Sequence, residues 1–185
     1  MPTGITIAIF TFANTKKIMA IQLTTLGYVH TVISVLALIP GFASLFSHGI
    51  ITPQTKSGKL YILLTVLACL SAFPIMKSGH PSPGHFLGIL ILIILPLAYY
   101  ARSIKLFGQK GLYAQVILLT TTLYFSLVPA FSETLTRVPL GHPYATSPDD
   151  PAMKPVLLSL TIVFLAVVTY QIFKLRGQRS KLHSL

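Results

Sequence analysis

The uncharged run LTTLGYVHTVISVLALIPGFASLF, residues 23–46, constrains this chain more than any other stretch. At 1.5 Å rise per residue it is long enough to cross the hydrocarbon of a bilayer. His30 is the side chain in it that belongs least in hydrocarbon. It shares a stripe with Gly27, Ser34, Ala37 and Gly41, at helical steps of three and four, so all five occupy one helix face. The other four are small, and small residues let a neighbouring helix or a flat cofactor come close. An imidazole on such a face is either a functional group or a hydrogen bond that ties two helices together.

Only 9% of the residues are charged, against roughly 25% in a soluble domain. The chain is therefore an integral membrane protein, all-α, with room for one bundle. A net charge of +11 could suggest nucleic acid. The basic residues instead flank apolar segments, where membrane topology places them, and nucleic acid is excluded as a partner. Cys69 is the only cysteine, so an intrachain disulfide and a cysteine-cluster metal site are excluded too.

About five transmembrane helices are expected, a four-helix core plus one, over residues 23–46, 60–76, 85–101, 112–131 and 156–173. Residues 1–22 are expected to be an interfacial or leader segment. The apolar part, 5–12, has no basic residue before it and makes a poor signal peptide. Residues 23–173 form the bundle, and 174–185 a basic cytoplasmic tail. One set of ends holds nine basic residues: Lys56, Lys59, Arg102, Lys105, Lys110, Lys174, Arg176, Arg179 and Lys181. The other holds five: Lys16, Lys17, Lys77, Arg137 and Lys154. The richer side is predicted to be cytoplasmic. His30, His80, His85, Glu133, Arg137, His142, Asp149 and Asp150 then gather toward the opposite side, and they stay together if the orientation is reversed.

Three groupings stand out. His30 lies roughly 9 Å into the first span, and His85 opens the third with Gly88 one turn on. Two histidines on different helices can be axial ligands of a b-type haem; a helix-flanking role for His85 is the alternative. Glu133 and Arg137 are spaced i, i+4 in the favourable order. Glu133 continues the face of Gln115, Leu119, Thr122, Ser126 and Pro129, which predicts that it heads the inner stripe of the fourth span; a surface ion pair is the alternative. The Pro- and Gly-rich loop 138–155 carries His142, Asp149 and Asp150, which with His80 could ligate a metal, or be an ordinary solvated loop.

Residues 29–73 resemble a set of bacterial predicted membrane proteins grouped as a domain of unknown function. His30, Gly41, Gly58 and Tyr61 match its pattern, as do His85 and the segment ETLTRVP after the fourth span. That pattern is itself similar to the four-helix core of ascorbate-reducible cytochromes b, in which core helices one and three ligate one haem and helices two and four a second. The resemblance implies that His30 and His85 hold one haem b, with Gly27, Ser34 and Gly88 giving it room. The second ligand pair is absent, since Gln54, Tyr113 and Gln115 occupy its places.

The leading expectation is a single-haem membrane electron-transfer protein in a bacterial inner membrane, exchanging electrons with a quinone or a partner protein. The alternative from another class is a small transport or scaffold subunit with a proton-relay or partner-docking role. A third is a metal hydrolase built on His80, His85, His142 and the aspartates. The nine-to-five count makes a prediction of its own. Reporter fusions should be active in the cytoplasm at Gln54 and outside it at Ser147, and cytoplasmic activity at Ser147 overturns the orientation.

Overall fold

The computed structural model describes residues 25–75, 81–139 and 142–183. It contains five helices: α1 (Thr25–His48), α2 (Lys56–Ala72), α3 (Pro83–Tyr100), α4 (Gly111–Leu135) and α5 (Met153–His183). A short 3₁₀ segment, Lys105–Lys110, precedes α4. No strand occurs among the described residues. Four stretches are long and apolar enough to cross a membrane: α1, α3, α4 with the 3₁₀ segment before it, and α5 through Gln178.

The helices close into a ring. α1 packs on α2, α2 on α3, α3 on α4, and α4 back on α1, while the α5 backbone packs along α4 and Lys174 reaches the end of α1. This is the expected four-helix core plus one. The core lies where α2, α3 and α4 meet, around Tyr61, Cys69, Ile91, Leu95, Leu119 and Leu123. Leu158, Ile162, Leu165 and Phe173 of α5 are exposed, as side chains facing lipid should be.

α2 differs from expectation. It starts a turn earlier than residue 60 and stops at Ala72. Thr55, in extended conformation, accepts the Gly58 N–H at 3.0 Å, and this cap starts the helix while Lys56 and Lys59 are still to come. A Cβ on Gly58 would collide with the Thr52 carbonyl, so the tight entry requires glycine. The result is 17 residues, about 26 Å of helix against roughly 30 Å of hydrocarbon. α5 differs at its other end. The expected tail continues as helix to His183, so Lys174 and Arg176 are helix residues. Residues 1–22, the expected leader, lie outside the described residues.

The small-residue stripe of α1 packs on α2. Gly27, Ala37 and Gly41 are buried. A Cβ on Gly41 would sit 2.9 Å from the Tyr61 ring. Tyr61 is fully buried, and its hydroxyl bonds Thr122 of α4 at 2.9 Å. One tyrosine thus joins three helices. Gly88 of α3 is also buried, but a Cβ there would meet nothing within 4 Å.

These two glycines should answer the same substitution differently. Gly41→Ala overpacks the α1–α2 contact and should cost about 1–3 kcal/mol. Gly88→Ala should be neutral or stabilising by up to about 1 kcal/mol, because alanine is the better helix former. Thermal unfolding in detergent reads both, and equal responses would show that the α1–α2 contact is not the tight one.

Candidate functional site

The bundle gathers His30, His85 and Glu133 at one end. α1 enters there, α2 leaves, α3 enters and α4 leaves. His85 and Glu133 both lie within electrostatic reach of His30. The hydrogen bonds assign a role to each ring nitrogen of the two histidines.

His30 Nδ1 lies 3.1 Å from the Ala68 carbonyl and 3.0 Å from Ser71 Oγ. A carbonyl can only accept, so Nδ1 carries the proton. Ser71 Oγ sends its own hydrogen to the same carbonyl at 2.8 Å and accepts from the imidazole. His30 Nε2 therefore holds the lone pair. Its neighbour is Ser34 Oγ at 3.4 Å, a long and weak contact. His30 thus ties α1 to the last turn of α2 and keeps an acceptor nitrogen on its far side.

His85 has the opposite arrangement. Its Nδ1 accepts the Ser82 backbone N–H at 3.0 Å, and Ser82 Oγ lies 2.9 Å from the same atom. A backbone N–H can only donate, so Nδ1 is unprotonated and the ring proton sits on Nε2. Ser82 and His85 form the back-reaching half of a capping box, with Pro83 favourably placed in the first turn. The helix-flanking role considered for His85 is therefore real. It leaves Nε2–H buried, with no hydrogen-bond partner among the described residues. Gly88 and its open space lie one turn further on the same buried face, and the Phe73 ring is tilted against the imidazole at 6.4 Å between centroids.

A bis-histidine haem needs a lone pair from each imidazole. His30 offers one and has the backing a metal-bound imidazole needs, an Nδ1–H donated to a carbonyl. His85 as capped offers a proton instead. The groove expected along Gly27, His30, Ser34 and Gly41 is filled by α2. The pair therefore does not fit the expected haem, and what it offers is one acceptor nitrogen and one donor nitrogen.

The other expected residues are more dispersed. Glu133 is 55% exposed and pairs with Arg137 one turn on, so it does not head a buried stripe. Gln115, Leu119 and Thr122 are buried as expected, but Ser126 and Pro129 are only half-buried, because α4 runs out past the core before reaching Glu133. His80 lies outside the described residues. His142 is exposed. Among the described residues no three His, Cys, Asp or Glu side chains are grouped to hold a metal ion. Asp150 has its carboxylate committed to the loop. One oxygen accepts from Thr146 N–H and hydroxyl at 2.9 and 2.8 Å, the other from Ala152 N–H at 3.0 Å.

The core holds two buried amides, Gln115 of the expected inner stripe and Gln171, which was not foreseen. Gln115 Nε2 donates to the Ala98 and Tyr99 carbonyls at 3.2 and 3.1 Å. Gln171 accepts from Thr120 Oγ1 at 3.0 Å. Each has one amide atom without a partner among the described residues. An amide inside an apolar run is a visible signal for Gln171, since intramembrane polar groups are rare.

No protein-family model, curated protein or solved structure matches the chain.

Asp150 gives a pH prediction. The Thr146 and Ala152 N–H groups, then the Thr146 hydroxyl, hold its carboxyl below the ordinary aspartate range. A depressed folded-state value stabilises the loop above the ordinary aspartate value and loses that stabilisation as pH falls through the folded one. Amide-exchange protection at Thr146 and Ala152 should hold steady down to about pH 4 and fall below it. In Asp150→Asn the protection should not respond to pH over that interval.

Proposed function

We propose that this protein is a small membrane-embedded component that holds a lipid-soluble carbonyl compound of the quinone class at the histidine end of its bundle. The observation that carries the reading is His85 Nε2–H, a buried donor without an acceptor among the described residues, beside the open space at Gly88. A buried donor left unpaired costs about 1–3 kcal/mol, and a ligand carbonyl would recover it. His30 Nε2, a weakly used acceptor at the same end, suits the hydroxyl of the reduced form. The exposed Glu133 carboxylate is a route for the proton. The nine-to-five distribution of basic residues favours this end facing away from the cytoplasm.

The role of His85 can be separated from its cap. Glutamine at the third helical position completes a capping box as well as any residue, but it cannot also present a donor at the depth of Nε2. His85→Gln should keep the thermal midpoint within a few degrees and weaken binding of a short-tailed benzoquinone, titrated into protein in nanodiscs, about tenfold. Gly88→Leu should block binding by filling the space. Unchanged affinity in both variants would refute the reading.

A second reading keeps a b-type haem, on His30 alone. It is favoured by the Nδ1–H donated to Ala68, which leaves Nε2 free to ligate. Oxidised and reduced spectra of protein from haem-supplied cells decide it. A colourless preparation, or colour that survives His30→Ala, ends this second reading.

A further inference from the structure

The end of the bundle opposite the histidines has cations and no acids. The chain has three acidic residues in all, Glu133, Asp149 and Asp150, and all three belong to the α4–α5 side of the histidine end. The other end carries Lys56, Lys59, Arg102, Lys105, Lys110 and Lys174. No carboxylate side chain of this chain can neutralise them, and that holds for residues 1–24 as well, which contain no acid.

One of these lysines is fixed in a built position. Lys174 Nζ donates to the His48 carbonyl at the end of α1, and lies 5.8 Å from the centre of the Tyr170 ring. Gly49, at φ +68°, makes this possible: a Cβ there would come within 2.6 Å of the ammonium and 3.1 Å of Tyr170. An ammonium has three N–H donors, so bonds remain for an anion.

Below this cation runs an apolar cleft of about 60 Å³. α1 and α5 flank α4 without close backbone contact to each other. The cleft is floored by Leu123 and Leu127 and walled by Phe42 and Leu45 on one side, Val163 and Val167 on the other. It is too small for a helix, which is about 10 Å across. Gln171, one turn before Lys174 on α5, is fully buried and does not line the cleft. Its carbonyl is held by Thr120, which also lines the cleft, and its Nε2 has no partner among the described residues.

We propose that this is a binding site for one anionic phospholipid, with its phosphate on Lys174 and an acyl chain in the cleft between α1 and α5. The order along α5, cation and then apolar cleft, is the order of phosphate and hydrocarbon along such a lipid. A second copy of this chain is a poorer occupant, because in a parallel arrangement its acids lie at the wrong end. The site stands apart from the quinone reading.

The test uses full-length protein in mixed vesicles of phosphatidylglycerol and phosphatidylcholine, extracted in mild detergent, with retained lipid identified by native mass spectrometry. Wild-type protein should retain one phosphatidylglycerol in preference to phosphatidylcholine. Lys174→Ala should reduce that preference about fivefold, the usual effect of one basic residue at an anionic surface, and Lys174→Arg should preserve it. Val163→Trp, at a position 58% exposed and so tolerant of bulk, should lose retention of either lipid by blocking the cleft. Displacement of the lipid by millimolar inorganic phosphate would reduce the site to an ion site and overturn the proposal. Equal retention of the two lipids, an unchanged preference in Lys174→Ala, or normal retention in Val163→Trp would each overturn it as well.

Discussion

α2 is held at membrane depth by its neighbours more than by its own hydrophobicity. It is short, begins with two lysines, and falls outside the four stretches long and apolar enough to cross on their own. Two hydrogen bonds pin it. Near its start the Tyr61 hydroxyl bonds Thr122 of α4. Near its end the Ala68 carbonyl and Ser71 hydroxyl accept from His30 of α1. In hydrocarbon the apolar effect does not hold helices together, so close packing and interhelical hydrogen bonds carry the association, at about 0.6 kcal/mol per bond on average. The small stripe of α1 supplies the close packing, with Gly41 set against the Tyr61 ring. The closed ring of four helices follows from α2 staying in place.

The same requirement fixes the chemistry of the two histidines. Each uses Nδ1 for structure, one as donor to a carbonyl and one as acceptor from a backbone N–H. An imidazole has one proton to place when neutral, so the structural bond at one nitrogen decides what the other can do. His30 is left with an acceptor and His85 with a donor. Helix architecture thus makes two residues of one type into complementary groups. The donor is the more constrained of the two, because it is buried and has no acceptor among the described residues.

The spans were legible in the sequence because hydrophobic length is a local property. Their ends were less so. α2 began early because Thr55 caps it ahead of the lysines, and α5 ran on through a segment whose charge suggested a tail. Periodicity placed Gly27, His30, Ser34 and Gly41 on an inner face, but a period does not say which helix lies opposite, and the answer was α2 rather than α3. Glu133 shows the limit of extending a stripe: the spacing was right, yet α4 leaves the core near Ser126. The motif Ser82–Pro83 with His85 was a visible helix start. The tautomer it imposes depends on the reach of one ring nitrogen to one N–H, which spacing cannot reveal.

Charge also distinguishes the two ends, since all three acids lie at the end of His30 and His85. With only three acids in the chain, almost no cation can be paired internally, and Arg137 with Glu133 is the one ion pair among the described residues. Arg137 and Glu133 sit at the end of His30 and His85, where each neutralises the other. That suits an uncharged ligand near His85, since an unpaired charge nearby would favour ions over a neutral carbonyl compound. The opposite end keeps its positive charge, the pattern expected of a cytoplasmic face beside anionic lipid. Both features trace to one compositional fact, the scarcity of carboxylates: three acids against fourteen basic residues leave excess positive charge at both ends, with more of it opposite His30 and His85.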